Sequence, residues 1–447
     1  MRDWSGHRMA LLVGAALRVL AFPFAEDLWA DAPIRGDIAL AWARAPGLWW
    51  SYREVAQFGP LPSHLEGLTA VMGLGVRVVP LVAGVLGLWL IARVAARLTG
   101  PEGAAFAAWS LALSPLHLQA STTCASEALY LLFALGCIEG LLARRDALLV
   151  GAAFAAATTR FDAWLWLPPL AGLLLWRRRS WRGLLLCTLL ALGPASILLA
   201  NGLTVQRPFA PLEHISSEHT LLAKRLLTAL GPLRARLRTV LFWPAAPLLV
   251  LTPVLGLLAL RGLRRPRGEM LDPATIALTP PAVYALRAAL TGTFLPLLRM
   301  AGPPAQLLTT FVQPPSRAWR RRAIAAAVIF DLALLTLAAF PNPLQEAARV
   351  ATPVTRLPEE LRAGVRWLQG SEESALDQSA GCEDIVIAHH ASRDRFALYA
   401  PRTPPRQILS IAGAPLDLVL RRKGSAFGER CSLQQSVGRL SLWDCTR

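Results

Sequence analysis

The stretch at residues 26–67, EDLWADAPIRGDIALAWARAPGLWWSYREVAQFGPLPSHLEG, decides how this chain is read. It carries six carboxylates (Glu26, Asp27, Asp31, Asp37, Glu54 and Glu66), several tryptophans and a Gly59-Pro60-Leu61-Pro62 turn, and apolar runs close it on both sides. Connecting loops are usually short, and long ones tend to be functional. A polar stretch of this length between apolar runs is therefore expected to hold the site.

The 447 residues are 54% hydrophobic, with a mean hydropathy of +0.43, which is the composition of a polytopic membrane protein with a smaller soluble appendage. A net charge of +17 would suit a nucleic-acid binder if the charges lay on one surface. They lie instead in short clusters between apolar runs, at residues 2–8, 93–97, 144–145, 177–182, 261–267 and 317–322. Cytoplasmic loops of membrane proteins carry such an excess of basic residues, so the charge calls for no nucleic-acid partner.

A bilayer core of about 30 Å takes roughly 20 apolar residues per helix, with shorter runs allowed where neighbours bury them. Such runs occur at 9–25, 77–96, 104–118, 127–142, 147–159, 163–176, 183–200, 240–260, 273–290, 303–312 and 323–340. They predict an all-α polytopic membrane domain over residues 1–340 with about eleven crossings. A short surface helix is expected at 69–74. The start of the chain imitates a cleavable signal, with Ala-Asp-Ala at 30–32, but Arg18 interrupts its apolar run and favours an uncleaved first helix. With the arginine clusters in the cytoplasm, the N-terminus is inside, and the C-terminus and the loops at 26–67 and 201–238 are outside.

From residue 341 onward 14 basic and 12 acidic residues balance, and the apolar runs cease. An amphipathic helix at 357–369 and short strands at 384–389, 395–400, 407–411, 416–420 and 440–445 predict a small extracytoplasmic α/β domain over 341–447. Of six cysteines, Cys124, Cys137 and Cys187 lie in apolar runs. Cys382, Cys431 and Cys445 lie in the C-terminal part, where an oxidising compartment would allow one disulfide and one remaining thiol. No Cys/His spacing suggests zinc. The adjacent His389 and His390 would point to opposite faces of a strand, which argues against a shared metal. The lone Gly136…Gly140 pair is expected to serve close helix packing rather than a dimer face.

Ionisable side chains inside apolar runs are costly and are functional candidates by default. Arg18, Arg77, Arg160, Asp162, Arg287, Arg299 and Asp331 qualify, and most project to the outer half under this topology. Guanidinium groups gathered opposite a carboxylate-rich loop suit a lipid phosphate or diphosphate, which they bind through paired oxygens. Each arginine could equally snorkel or pair with an acid. Glu127 opens an apolar run, where a carboxylate also suits the positive end of a helix. Trp42, Trp49, Trp50 and Tyr52 could stack on a sugar or lipid, or simply sit at the bilayer interface. His64, close to Gly59-Pro60, is either near the site or solvated.

These residues stand in a familiar order. Arg18, then Gly36-Asp37 with Trp42 and Ala43 following, then Gly59-Pro60-Leu61-Pro62 and then Arg77 at the head of the next run resemble the opening of the GT-C membrane glycosyltransferases. That group contains protein O-mannosyltransferases and aminoarabinose transferases. Leu113-Ser114-Pro115 with a later Glu127, Thr159-Arg160-Phe161-Asp162 where many relatives have a Thr-Arg-Tyr-Glu type sequence, and Leu298-Arg299 before Pro303-Pro304 extend the resemblance over residues 9–340. Many relatives carry an Asp-Glu pair in the first loop, whereas Asp37 is followed by Ile38.

The resemblance implies transfer of a sugar from a polyprenyl-phosphate donor to an acceptor hydroxyl at the outer face of a bacterial inner membrane, the acceptor being a glycan, lipid or protein. A loop carboxylate would take the acceptor proton, and positive charge would stabilise the leaving phosphate. Asp37 is the first choice for the base and Asp31 the second. Asp37 would also serve as the N-cap of a helix over 38–44. Arg299, Arg160 and Arg77 are the phosphate candidates, and Asp162, Glu127, His64 and Trp42 complete the substrate-binding set. The loop acids could hold a divalent metal, though no ligand cluster demands one. A transporter or flippase of a polyprenyl-linked lipid would use the same membrane arginines, but no symmetry between halves of the chain supports it. A non-catalytic assembly protein acting through its C-terminal domain is the third reading.

Overall fold

The computed structural model describes residues 5–26, 31–262, 271–291, 297–314, 316–339 and 359–369, and short pieces at 374–376, 387, 391, 407–411, 432–437 and 440–444. Two compact units result: Met1–Pro23 with Ile38–Val354, and Phe24–Asp37 with Thr355–Arg447.

The larger unit is helical. In chain order its helices are α1 (Ser5–Ala21), α2 (Asp31–Arg44, whose first half counts with the other unit), α3 (Tyr52–Val55), α4 (Pro60–Val71), α5 (Val78–Leu113), α6 (Pro115–Thr122), α7 (Glu127–Leu142), α8 (Asp146–Thr159) and α9 (Asp162–Arg178). There follow α10 (Trp181–Leu190), α11 (Leu192–Val205), α12 (Ala210–Leu230), α13 (Pro232–Val250), α14 (Thr252–Gly262), α15 (Leu271–Thr291), α16 (Leu298–Leu308) and α17 (Arg317–Ala339).

The apolar runs at 77–96 and 104–118 meet in α5, which breaks at Gly100. Gly100 has φ +83°, a left-handed value that favours glycine, and Pro101 starts the second arm. The packing of α1 shows that the arms run antiparallel. Ala10 clusters with Ala92 and Ala108, the Gly14 backbone faces Leu88 and Ala112, and Arg18 lies beside Gly84 and the carbonyls of Leu111 and Ala112. Partners on the first arm fall from 92 to 84 while those on the second rise from 108 to 112. A Cβ on Gly14 would come within 2.7 Å of Leu88 Cδ1, so a small residue every fourth position of α1 (Gly6, Ala10, Gly14) is what lets it nest in the hairpin. Gly136 and Gly140 do the same between α7 and α8, against Ala152 and Leu149, as expected of close packing.

Ion pairs tie helix ends together on one face of this unit. Glu139 near the end of α7 meets Arg93 (2.8 Å) and Arg97 (3.0 Å) of α5, and Asp146 at the start of α8 meets Arg178 at the end of α9 (2.7 Å). Arg177 reaches Asp272 at the start of α15 (2.6 Å), and Arg320 near the start of α17 pairs with Glu102 just beyond the α5 break. The basic clusters at 93–97, 177–182 and 317–322 thus share a face, the arrangement that a positive-inside topology requires.

Among the described residues, Gly6–Phe24 and the stretch Val78–Leu113, itself folded back into the α5 hairpin, are long and apolar enough to enter a bilayer as spans, and the number rises to five if each of three bent pairs is one span. The chain is a multi-pass membrane protein. Several expectations need correction. The run at 303–312 is not a full crossing, because α16 has 11 residues and reaches only about 16 Å at 1.5 Å per residue. The expected outer loop at 201–238 is mostly helix, in α11, α12 and the start of α13. The short surface helix at 69–74 is instead α4, which starts nine residues earlier because Pro60 occupies its first turn with Gly59 as N-cap.

The second unit has an amphipathic helix α18 (Glu359–Gln369), with Ala363 and Leu368 buried, and a four-stranded sheet. Strands β1 (Ser374–Leu376), β2 (Gln407–Ile411), β3 (Ser432–Val437) and β4 (Leu440–Asp444) lie in the order β1-β2-β4-β3. The β1–β2 pair is parallel and the others are antiparallel. At Ile387, where a strand over 384–389 was expected, the carbonyl accepts a helical bond from the Ala391 N–H at 2.9 Å. The rest of that strand, those at 395–400 and 416–420, His389, His390 and the three C-terminal cysteines lie outside the described residues.

Candidate functional site

On the face opposite the basic clusters, α8 ends at Thr159 and α9 begins at Asp162. Between them Arg160 takes an extended conformation (φ −146°, ψ 140°), which turns its side chain off the helix toward the start of α7. Its Nε donates to Asp162 Oδ2 at 2.6 Å, and its Nη1 donates to Glu127 Oε1 at 2.7 Å and to Ser126 Oγ at 3.2 Å. All three charged side chains are at most 10% exposed, so one guanidinium faces two carboxylates out of water. The hydroxyl of Tyr284, from α15, donates to the other Asp162 oxygen, and the Trp243 ring packs on Tyr284 at 4.9 Å. The Tyr130 ring lies 6.0 Å from the guanidinium, and its hydroxyl accepts a bond from Trp166 Nε1 at 3.0 Å. Residues of α7, α9, α13 and α15 are thereby fixed around Arg160. Because two acids already compensate it, Arg160 is suited to orienting Asp162 and Glu127 rather than to binding a phosphate by itself.

The second half of the polar stretch leans on this cluster. A Cβ on Gly59 would lie 2.3 Å from the Thr158 carbonyl oxygen and 2.5 Å from that of Thr159, immediately before Arg160, so only glycine allows this approach. His64 organises the chain in front of it. Its Nε2 lies 3.2 Å from both the Trp49 N–H and the Gly47 carbonyl, and its Nδ1 lies 2.8 Å from the Pro60 carbonyl. Trp42 packs edge-on against His64 at 5.4 Å and donates to the Gly47 carbonyl at 2.7 Å. Trp50 sits between His64 and Phe154 of α8, and Tyr52 is held through Asn201 of α11 and His214 of α12. His64 is therefore a half-buried clasp and not a solvated loop residue.

The other candidates take separate places. Arg77, the N-cap of α5, donates to the Phe22 carbonyl at 3.1 Å and lies over the Phe22 ring at 4.8 Å. Arg299 is half-buried in the first turn of α16, and Arg287 donates to Ser216 at 2.7 Å. Arg18 is fully buried and caps the last turn of α5, donating to Leu111 at 3.1 Å and to His117 Nδ1 at 2.6 Å. A guanidinium can only donate, so His117 is neutral with its proton on Nε2. Asp331 is half-buried in the middle of α17. Asp31 lies in the first turn of α2, and Asp37 is exposed on the same helix. Asp37 is not the N-cap of a helix over 38–44, since the helix already runs from Asp31. Among the described residues no group of three His, Cys, Asp or Glu side chains could hold a metal ion.

The sequence singles out Arg160, Asp162 and Glu127, which the structure brings together, but not Tyr284, Tyr130 or the Arg18–His117 contact. The polar residues clustered at 117–126 were the one visible sign of the last.

No protein-family model matches the chain, and no curated protein matches it by sequence. Solved structures match it over nearly its whole length. ArnT from Cupriavidus metallidurans in the apo state aligns with a TM-score of 0.56 at 14% identity, covering 97% of both chains. The same protein bound to undecaprenyl phosphate aligns with a TM-score of 0.58 at 13% identity, again over 97% of both. The Archaeoglobus fulgidus oligosaccharyltransferase in complex with zinc and sulfate gives 0.52 at 13% identity, over 91% of this chain and 68% of its own. Over nearly its whole length the chain is thus built on the fold of these neighbours, both GT-C glycosyltransferases.

Proposed function

We propose that this protein is an integral membrane glycosyltransferase that moves a sugar from a polyprenyl-phosphate donor to an acceptor hydroxyl. The observation that carries the reading is the fold likeness over 97% of both chains to a transferase bound to undecaprenyl phosphate. The acceptor oxygen attacks the anomeric carbon while its proton passes to a carboxylate, for which Asp37 is the candidate and Asp31 the substitute. The bond from that carbon to the phosphate oxygen breaks, its electron pair stays on the phosphate, and polyprenyl phosphate leaves. Arg299 and Arg77 supply the positive charge that this departure needs. Arg160 holds Asp162 and Glu127 toward the sugar, while His64 and Trp42 shape the loop that covers it.

In this reading residues 1–340 cross a bacterial inner membrane about ten times, the run at 303–312 being left out and other short helices being buried by their neighbours. The N-terminus is cytoplasmic, and the 341–447 domain and the 26–67 stretch face outward. Mass spectrometry of lipid retained by the protein purified in mild detergent tests the donor class. A polyprenyl phosphate or its sugar ester is expected. Retention of bulk phospholipid alone, with no exchange for added undecaprenyl phosphate, would contradict it.

A further inference from the structure

A groove of about 270 Å³ opens on the basic face, far along the chain from the Arg160 corner. His7 of α1, Trp89, Arg93 and Arg97 of the first arm of α5, and Pro101 at the start of its second arm line it, with alanines between them. Its polar lining is confined to a few groups. Arg93 Nε and Arg97 Nη2 converge on one oxygen of Glu139 at 2.8 and 3.0 Å. Glu139 is 5% exposed and both arginines 39%, so two cations share one buried carboxylate and one positive charge is left facing the groove. Each guanidinium gives Glu139 one N–H and keeps others for a second anion. Trp89 is 49% exposed, with the Arg93 guanidinium 5.4 Å from its ring.

An apolar trough in a membrane helix pair, ending at two arginines with surplus positive charge, matches one occupant in shape and sign. We propose that this groove binds one anionic phospholipid, its phosphodiester at Arg93 and Arg97 and an acyl chain along Trp89 and the alanines. Basic pockets between membrane helices on the cytoplasmic side hold anionic headgroups in this way. The proposal rests on the membrane reading and not on the sugar-transfer chemistry, so the two fail separately. A free phosphate would satisfy the arginines but not the apolar floor.

The test uses the full chain in detergent, titrated with brominated phosphatidylglycerol or brominated phosphatidylcholine of the same chains. The Trp89 signal is taken as wild type minus Trp89→Phe. Quenching by phosphatidylglycerol should reach half-saturation at roughly fivefold lower lipid, the effect of one charge near the surface. The preference should persist in Arg97→Lys, disappear in Arg97→Gln and withstand millimolar sodium phosphate. Equal quenching of the Trp89 signal by the two lipids, a comparison that needs only the conservative Trp89→Phe variant beside the wild type, would overturn the proposal. So would displacement by phosphate, which would mark a site for free anions.

Discussion

Arg160 offers one positive charge to the two negative charges of Asp162 and Glu127, so deletions on the two sides are not equivalent. Arg160→Ala strands two buried carboxylates and should lower stability by about 3–5 kcal/mol. Asp162→Asn leaves a matched pair of Arg160 and Glu127 and should cost less. Tyr284→Phe removes the hydroxyl that donates to Asp162 and should cost about 1–3 kcal/mol, with no loss of volume in the core. Denaturant unfolding in micelles checks this order, and an Arg160→Ala protein as stable as Tyr284→Phe would refute it. Arg160 and Asp162 were legible because charged residues interrupt an apolar run. Tyr284 was not, because a tyrosine 122 residues away carries no local sign of which carboxylate it will meet.

The approach of the polar stretch to the end of α8 depends on the missing side chain at Gly59. Gly59→Ala would push a methyl group into two backbone carbonyls and should destabilise by about 1–3 kcal/mol, loosening the segment around His64. Faster proteolysis between residues 46 and 59 is the expected readout. At the other end of α8, hydrogen bonds from Arg178 hold the Asp146 carboxyl below its ordinary 3.8. The stability this pair adds is present in full above that value and fades as pH falls through the lower folded one. Asp146→Asn should therefore flatten the acid limb of the stability profile. The effect should be small, since Asp146 is 52% exposed. Element positions were largely legible where run length and breakers agreed, as at Gly100-Pro101 and Thr159–Asp162. They were not legible where tertiary pairing decides. β1 has three residues, and the SLQQSV of β3 lacks the alternation of a half-buried strand. α2 extends through Asp37 although Gly36 disfavours a helix there.

Across the membrane unit, charge sorts into two faces. Salt-bridged helix ends carry the arginine surplus on one, while Arg160, Glu127, His64 and the second half of the polar stretch, residues 38–67, gather on the other. The polarity was legible in the basic clusters, but which acids would answer them was not, since Glu139, Asp146 and Asp272 look like isolated charges in the sequence. Transfer of sugar from a lipid phosphate by this protein can be followed in proteoliposomes. These would be supplied with radiolabelled polyprenyl-phosphate hexoses or pentoses and an envelope extract as acceptor, comparing the wild type with Asp37→Asn. The wild type should move label from one of these donors into acceptor and release polyprenyl phosphate. Asp37→Asn, equally folded, should fall by at least about a hundredfold, the usual contribution of a general base. Label that crosses the bilayer without ever leaving its lipid would overturn the reading, and transfer unchanged in both Asp37→Asn and Asp31→Asn would remove these acids from the mechanism.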